Sequence, residues 1–183
     1  MTGPGMTGPG PVRGEPSPEP VKTRPGIADD LPAIVDILNY AAANSNATLA
    51  SEPITVADRR DWLERFSLTG PYRLAVARRG PRVIGYAASQ PYREHAGFRE
   101  TVEVSIAIDA AGRGQGVGTA LYRTLLGWLA DAPVHVALAG IVLPNDASVA
   151  LHRKFGFTDV GTFHEYAVKN GQYLSSLWMQ RRL

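Results

Sequence analysis

The chain has 183 residues, of which 44% are hydrophobic and 20% charged, and its formal net charge is +2. These values are typical of a soluble globular chain and require no second domain. The chain has no cysteine, which excludes disulfides, thiolate metal sites and a cysteine nucleophile. Basic residues are dispersed among acidic ones, which favours an anionic small ligand over nucleic acid.

The spacing of the histidines and the length of the apolar runs exclude two further classes, metal-binding and membrane-spanning proteins. The four histidines have no metal-ligand spacing, so we expect no bound metal. A membrane-spanning helix would need roughly 20 consecutive apolar residues, and the sequence has no such run. The first residues lack the apolar core of a signal peptide, so we expect a cytoplasmic protein that does not bind membranes.

The first 20 residues contain MTGPG twice, followed by Pro, Gly, Glu and Ser. Such a segment has too few apolar side chains to offset the entropy that is lost on ordering. We therefore predict a flexible tail over residues 1–20 and a single domain over residues 21–183. A docking role for the tail is the alternative.

The domain is predicted to begin with a strand at 21–24. Asp29 or Asp30 then begins a helix that ends near Ala43, because apolar residues recur at helical spacing. A polar loop follows at 44–49. Thr55 and Asp58 resemble a capping box and predict a second helix.

Two strands follow, at 74–77 and 83–89, joined as a hairpin. The next loop, at 91–99, combines polar and aromatic side chains, as a binding loop would. From Val102 to Asp109, apolar residues alternate with other residue types, which predicts a strand with two different faces.

The string RGQGVG at 113–118 lies between this strand and a helical run. Glycines let a phosphate approach backbone N–H groups, and the start of a helix carries partial positive charge. The order is neither that of a dinucleotide fingerprint nor that of a Walker loop. The pattern therefore predicts a phosphate-binding turn, and a connection that binds nothing is the alternative.

After the helix that contains Trp128, the apolar run 134–142 predicts a buried strand. Asn145 or Asp146 is predicted to cap a helix at 147–155 that Gly156 ends. Two strands at about 158–168 and 173–181 complete the chain. Together the elements predict a mixed α/β sheet with helices on its faces.

Two blocks of residues carry a family resemblance. Arg113, Gly116 and Gly118 form the pattern Arg, two residues, Gly, one residue, Gly. LPNDASVALH at 143–152 is followed by KFGF at 154–157. These blocks resemble the GNAT superfamily of acyl-CoA-dependent N-acyltransferases, and within it the branch of phosphinothricin and methionine sulfoximine N-acetyltransferases.

Glu103 adds to the likeness, because it lies where that branch carries a glutamate upstream of the loop. The resemblance covers about residues 21–183. It implies a GNAT-like α/β fold with a mixed, mostly antiparallel central sheet, helices on both faces and a splayed strand pair.

The resemblance also implies acetyl-CoA as co-substrate, with its pyrophosphate on the glycine turn and its pantetheine arm along the preceding strand. The residues expected to bind it are Ile106, Ile108, Arg113, Gly114, Gln115, Gly116, Val117, Gly118, Thr119, Asn145 and Ser148. Simple capping of the helix is the alternative for Asn145.

Two residues are candidates for proton transfer. The resemblance implies that Glu103 is the general base that deprotonates the acceptor amine, and an exposed glutamate in a salt bridge is the alternative. His152 could give a proton to the leaving thiolate or take one from the amine. The alternative for His152 is a packed histidine whose hydrogen bonds are satisfied.

The predicted reaction is direct transfer of acetyl to the α-amine of a small amino acid-like acceptor. Candidate acceptor-binding residues are Leu49, Tyr92, Arg93 and His95. The alternatives are another amine, a protein N-terminus, or a non-catalytic acyl-CoA-binding regulatory module. The sequence departs from the branch at His95, Phe98, Ala107, Ala167, Asn170, Tyr173 and Ser175. By the same likeness we expect a homodimer.

Overall fold

The computed structural model describes residues 19–183. Residues 1–18 lie outside this range, so the flexible tail and the domain boundary at residue 20 stay predictions. The strands are β1 (Lys22–Pro25), β2 (Leu74–Arg79), β3 (Arg82–Pro91), β4 (Thr101–Ile108), β5 (Val136–Val142), β6 (Thr158–Lys169) and β7 (Gln172–Arg182). The α-helices are α1 (Leu31–Asn44), α2 (Arg60–Leu63), α3 (Val117–Ala130) and α4 (Asp146–Lys154).

All of these strands belong to one sheet, in the order β1-β2-β3-β4-β5-β7-β6. Neighbouring strands are antiparallel except β4 and β5, which are parallel. The ladder between β4 and β5 joins only 101–103 to 136–138, and beyond it the two strands separate. The predicted mixed sheet, its helices and its splayed strand pair are therefore confirmed.

Alternation along the strands creates a core on each face of the sheet. On β2, Ala75 and Ala77 pack in the cluster that α3 covers, whereas Leu74 and Val76 pack in the cluster that α1 covers. Successive side chains of a strand point to opposite faces, so one short strand serves both cores. The two cores hold β4 and its neighbours between α1 and α3.

The observed helix ends agree in part with the caps predicted from the sequence. Asn145 caps α4 by accepting a hydrogen bond from the Ser148 N–H at 3.2 Å, and Gly156, with φ of +80°, follows the end of that helix. Asp30 precedes α1 but does not cap it with its side chain. Its carboxylate instead accepts hydrogen bonds from the Arg24 guanidinium at 2.6 and 2.7 Å.

A pair of glycine substitutions tests the close approach of β3 to β4. A methyl group at Gly85 would lie 2.9 Å from the carbonyl oxygen of Ala107, whereas one at Gly127, exposed in α3, meets nothing within 4 Å. We expect Gly85→Ala to lower the free energy of unfolding by about 1–3 kcal/mol, because backbone atoms must shift. Gly127→Ala should raise it by roughly 0.5–1 kcal/mol, because alanine favours the helix.

Urea denaturation of both variants measures these changes. Equal stability of Gly85→Ala and the wild-type chain would contradict the tight packing of β3 on β4.

Candidate active site

A cavity of about 590 Å³ opens where β4 and β5 separate. Its walls come from elements that are far apart in the chain: α1 and the loop after it, β3, β4, β5, the glycine turn, α4 and the β6–β7 hairpin. Glu103 lies at the inner end of the split, since it is the last β4 residue that pairs with β5. Arg113 lies where the cavity meets the glycine turn.

The glycine turn has the geometry of an anion site. Gly114 and Gly116 have φ of +72° and +78°, and a methyl group on either would meet no atom within 4 Å. The first N–H groups of α3, which begins at Val117, have no partner within the helix. Open space, free amides and the positive end of a helix dipole together suit a phosphate group.

Close packing brings the start of α3 to the cavity. A methyl group at Gly118 would lie 2.9 Å from Leu151 of α4 and 3.2 Å from Ile108 of β4, and both of those side chains line the cavity. Val117 is 1% exposed and anchors the helix start in the core. Gln115 donates a hydrogen bond to the Ala111 carbonyl oxygen at 2.7 Å, which braces the turn.

Of the residues predicted to bind acetyl-CoA, Arg113 and four others line the cavity, whereas residues 114–119 lie outside its lining. Ile106, Ile108, Asn145 and Ser148 all line the cavity. The side-chain oxygen of Asn145 is occupied in capping α4, so its predicted capping role coexists with a position on the cavity wall.

Glu103 is half-buried in the cavity wall. Burial raises the pKa of its carboxyl, because the charged form loses hydration. Among residues 19–183, no basic side chain forms an ion pair with Glu103. The geometry therefore favours a proton acceptor over the salt-bridged alternative.

The structure does not bring His152 to the cavity with Glu103. The ring is 3% exposed, and it packs edge-on against Tyr122 and Phe157 at centroid distances of 5.1 Å each. The carbonyl oxygen of Ser148 can only accept, so Nδ1–H donates to it at 2.7 Å and Nε2 accepts from the Tyr122 hydroxyl at 2.7 Å. Burial lowers the pKa of His152, so the ring is neutral at pH 7.

Both ring nitrogens of His152 are therefore occupied within the core. This arrangement matches the packed alternative for His152, and it offers the ring no open path to a substrate.

The four predicted acceptor-binding residues separate into two groups. Leu49 lines the cavity, whereas Tyr92, Arg93 and His95 lie outside its lining. Tyr92 packs edge-on against Trp178 at 6.0 Å, and the Arg93 guanidinium lies 5.1 Å from the centre of the Tyr92 ring. His95 accepts a hydrogen bond from the Gly97 N–H at 3.0 Å. This loop therefore supports Trp178, which does line the cavity.

The wall contains three aromatic residues that were not predicted from the sequence to bind a substrate: Tyr86, Tyr166 and Trp178. Tyr86 lies in an apolar strand and resembles a core residue. Tyr166 reaches the wall through an irregularity of β6, where Glu165 has φ of +50°. Its hydroxyl then donates a hydrogen bond to Ser176 at 3.1 Å. Only pairing with distant strands reveals these positions, so the sequence carries no signal for them.

The metal and membrane expectations can be compared with residues 19–183. Within that range, no group of three or more His, Cys, Asp and Glu side chains could hold a metal ion, and the expectation of no metal stays a prediction. No helix in the described part of the chain is long and apolar enough to cross a membrane.

The comparisons with known proteins identify the family. The model of the acetyltransferase (GNAT) family matches residues 39–157. The chain is 39% identical over 165 residues to the phosphinothricin N-acetyltransferase of Streptomyces coelicolor, covering 89% of this chain and 96% of that protein. It is 34% identical over 158 residues to the L-methionine sulfoximine/L-methionine sulfone acetyltransferase of Pseudomonas aeruginosa, covering 86% and 91% of the two chains.

A solved structure supports the same assignment. The phosphinothricin acetyltransferase of Sinorhizobium meliloti, in complex with AcCoA, matches this chain with a TM-score of 0.84 at 30% identity. The match covers 89% of this chain and 88% of that one. The resemblance predicted from the sequence, including its branch, is therefore confirmed: the chain belongs to the GNAT family of acetyltransferases.

Proposed function

We propose that this enzyme transfers the acetyl group of acetyl-CoA to the α-amine of a small amino acid-like acceptor, of the phosphinothricin or methionine sulfoximine type. The observation that carries the proposal is the continuity of one cavity from Arg113 and the glycine turn to Glu103. An anion site at one end and a proton acceptor at the other suit the two substrates of such a transfer. The names of the relatives support the acceptor class.

The acetyl-CoA side would use backbone groups more than side chains. The N–H groups of Gly114, Gly116, Gly118 and Thr119 would hold the pyrophosphate, with Arg113 beside them. The pantetheine arm would follow β4 from Ile108 toward Ile106, where β4 has separated from β5. Asn145, the cap of α4, and Ser148, in its first turn, would contact it from the opposite wall.

Glu103 would act as the general base. An acceptor amine is mostly protonated near neutral pH, and a carboxylate of raised pKa can take its proton directly or through a water molecule. The free amine then attacks the thioester carbon, so that a C–N bond forms and the C–S bond breaks. The nitrogen loses a second proton as the amide forms, and this proton passes to the leaving thiolate, so CoA is released as the thiol. A backbone N–H of β4 would stabilise the negative charge that gathers on the thioester oxygen.

His152 is better suited to a structural role, holding α4 against α3, than to proton transfer. Its ring joins the Ser148 carbonyl of α4 to the Tyr122 hydroxyl of α3. It thereby fixes the helix that carries Asn145 and Ser148 into the cavity.

The acceptor would occupy the part of the cavity beside α1. Leu38 and Ala41 of α1 line it, together with Leu49 and Tyr86. Burial raises the pKa of Tyr86 to about 12, so its phenol is neutral and can donate a hydrogen bond. The partner of Tyr86 across the strands is Ala107, whose small side chain leaves room for the phenol. A cavity of about 590 Å³ with this lining supports a small acceptor over a protein chain.

The purified chain should release CoA from acetyl-CoA, with saturation, when phosphinothricin or methionine sulfoximine is added. A thiol-detecting assay on a panel with free amino acids, polyamines, aminoglycosides and N-terminal peptides measures this. Faster turnover of a peptide would contradict the acceptor assignment. Binding of acetyl-CoA without any turnover would favour the regulatory module.

Replacement of Glu103 by glutamine should lower kcat by about 10²–10³-fold, because the amide cannot accept the proton. The wild-type rate should fall as the pH drops through the raised pKa of Glu103, since protonation removes the base. That acidic limb should be absent from the Glu103→Gln profile. The matched control is Glu100→Gln, at an exposed glutamate beside β4. An unchanged kcat in Glu103→Gln would refute the role of Glu103 as base.

We also propose that two copies of the chain pair through the edge of the sheet at β6. This edge strand and the adjoining β7 expose a set of apolar side chains: Val160, Phe163, Val168 and Tyr173, which are 57–69% exposed. Apolar edge strands of this kind are normally covered in a native assembly.

The predicted cytoplasmic location stays a prediction.

Light scattering of the purified chain should give twice the chain mass of 19.7 kDa. Tyr173→Glu should shift the protein toward monomer, because a charge would be buried at the contact. Leu68→Glu is the matched control, since Leu68 is 70% exposed outside β6 and β7. A dimer that persists in Tyr173→Glu and dissociates in Leu68→Glu would locate the contact elsewhere.

A further inference from the structure

Lys169, the last residue of β6, is 3% exposed. Lysines are almost never fully buried unless they are paired, and Lys169 forms no ion pair within residues 19–183. Its ammonium instead donates hydrogen bonds to three backbone carbonyl oxygens, those of Ala42 at 2.8 Å, Ser45 at 2.7 Å and Thr48 at 3.0 Å. All three of its donors are used.

These carbonyls mark the end of α1 and the loop that follows it. The last carbonyls of a helix have no partner within the helix and carry partial negative charge, so an ammonium satisfies them well. Lys169 is separated from its three acceptors by 121 to 127 residues along the chain. Its bonds therefore join the β6–β7 hairpin to a segment near the start of the fold.

The joined loop is one wall of the cavity, since every residue from Ser45 to Leu49 lines it. Within the loop the hydrogen bonds are local, as in the Ala47 N–H to Ser45 Oγ contact at 3.3 Å. Beyond the loop, the side chain of Asn39 in α1 exchanges two hydrogen bonds with the backbone of Ile54, at 2.8 and 2.9 Å, and so holds the segment that follows it. Lys169 and Asn39 thus fix the loop at two separate points.

The hairpin holds Lys169 in a defined position. Asn170 and Gly171, at its turn, have φ of +50° and +76°, and Lys169 pairs with Gln172 across the turn. Two adjacent residues of positive φ are typical of a tight two-residue hairpin turn. The same hairpin carries Tyr166 into the cavity. The β6–β7 hairpin therefore contributes Tyr166 to the cavity wall and, through Lys169, positions the loop 45–49.

We propose that Lys169 is a positioning residue for the acceptor: it fixes the loop 45–49 against the cavity and so sets the shape of the acceptor site. The inference rests on the proposed function, because the cavity beside α1 must hold the acceptor. The proposal concerns the acceptor and not acetyl-CoA, because the hydrogen bonds of Lys169 go to residues 42–48 and none goes to the glycine turn.

The test compares steady-state kinetics of Lys169→Met and wild type, with phosphinothricin as acceptor. Loss of three charge-assisted hydrogen bonds should raise the acceptor KM by about tenfold or more. The KM for acetyl-CoA should stay within about threefold, because the turn and β4 are unchanged. Lys22→Met, the same change at an exposed lysine, should leave both values unchanged. A parallel rise of both KM values in Lys169→Met, or a rise of neither, would overturn the proposal.

A second variant and a second measurement cover the remaining outcomes. Lys169→Gln retains an amide donor, so if the methionine variant does not fold, the glutamine variant undergoes the same kinetic comparison. Hydrogen exchange of Lys169→Gln should be faster at 45–49 than in wild type, with no change in α3. If the wild-type chain acetylates no acceptor, the proposed function fails, and the exchange result alone decides whether Lys169 fixes the loop. Unchanged exchange at 45–49 would refute the proposal in either case.

Discussion

The separation of β4 from β5 is the constraint on which the rest of the site depends. Two parallel strands that stayed paired would satisfy each other's backbone groups and leave no opening. Here the ladder ends at Glu103 and Leu138, so the later residues of both strands line a cavity. Because of the split, Glu103 lies at the inner end of the opening, and the chain continues from β4 through residues 109–112 to the glycine turn.

Burial disfavours the charged form of both candidate proton-transfer groups, and the difference between them is access to the cavity. Burial raises the pKa of Glu103, which keeps one face on the cavity, and lowers the pKa of His152, which has none. A carboxylate poised in this way can exchange protons with a bound amine. A neutral imidazole between Ser148 and Tyr122 instead holds α4 against α3.

The two ends of the cavity are built differently. The glycine turn and β4 are adjacent in sequence, whereas the wall beside α1 combines a loop near the start of the chain with a hairpin near its end. Among the positions where the sequence departs from the phosphinothricin branch, only Ala107 lines the cavity. Ala107 pairs with Tyr86 across the strands, so this departure from the branch changes the cavity wall beside Tyr86.

The sequence by itself determined the order of the elements, the glycine turn, the cap of α4 and the family, because each of these depends on neighbouring residues. Glu103 was predicted through the family resemblance, because the branch carries a glutamate at this distance before the turn. Only the tertiary structure decided that Tyr92, Arg93 and His95 lie outside the cavity, and that Tyr86 and Tyr166 lie on its wall. It also decided the burial of His152 and of Lys169. These features depend on which distant strands and loops meet, and a local pattern of residues carries no record of such contacts.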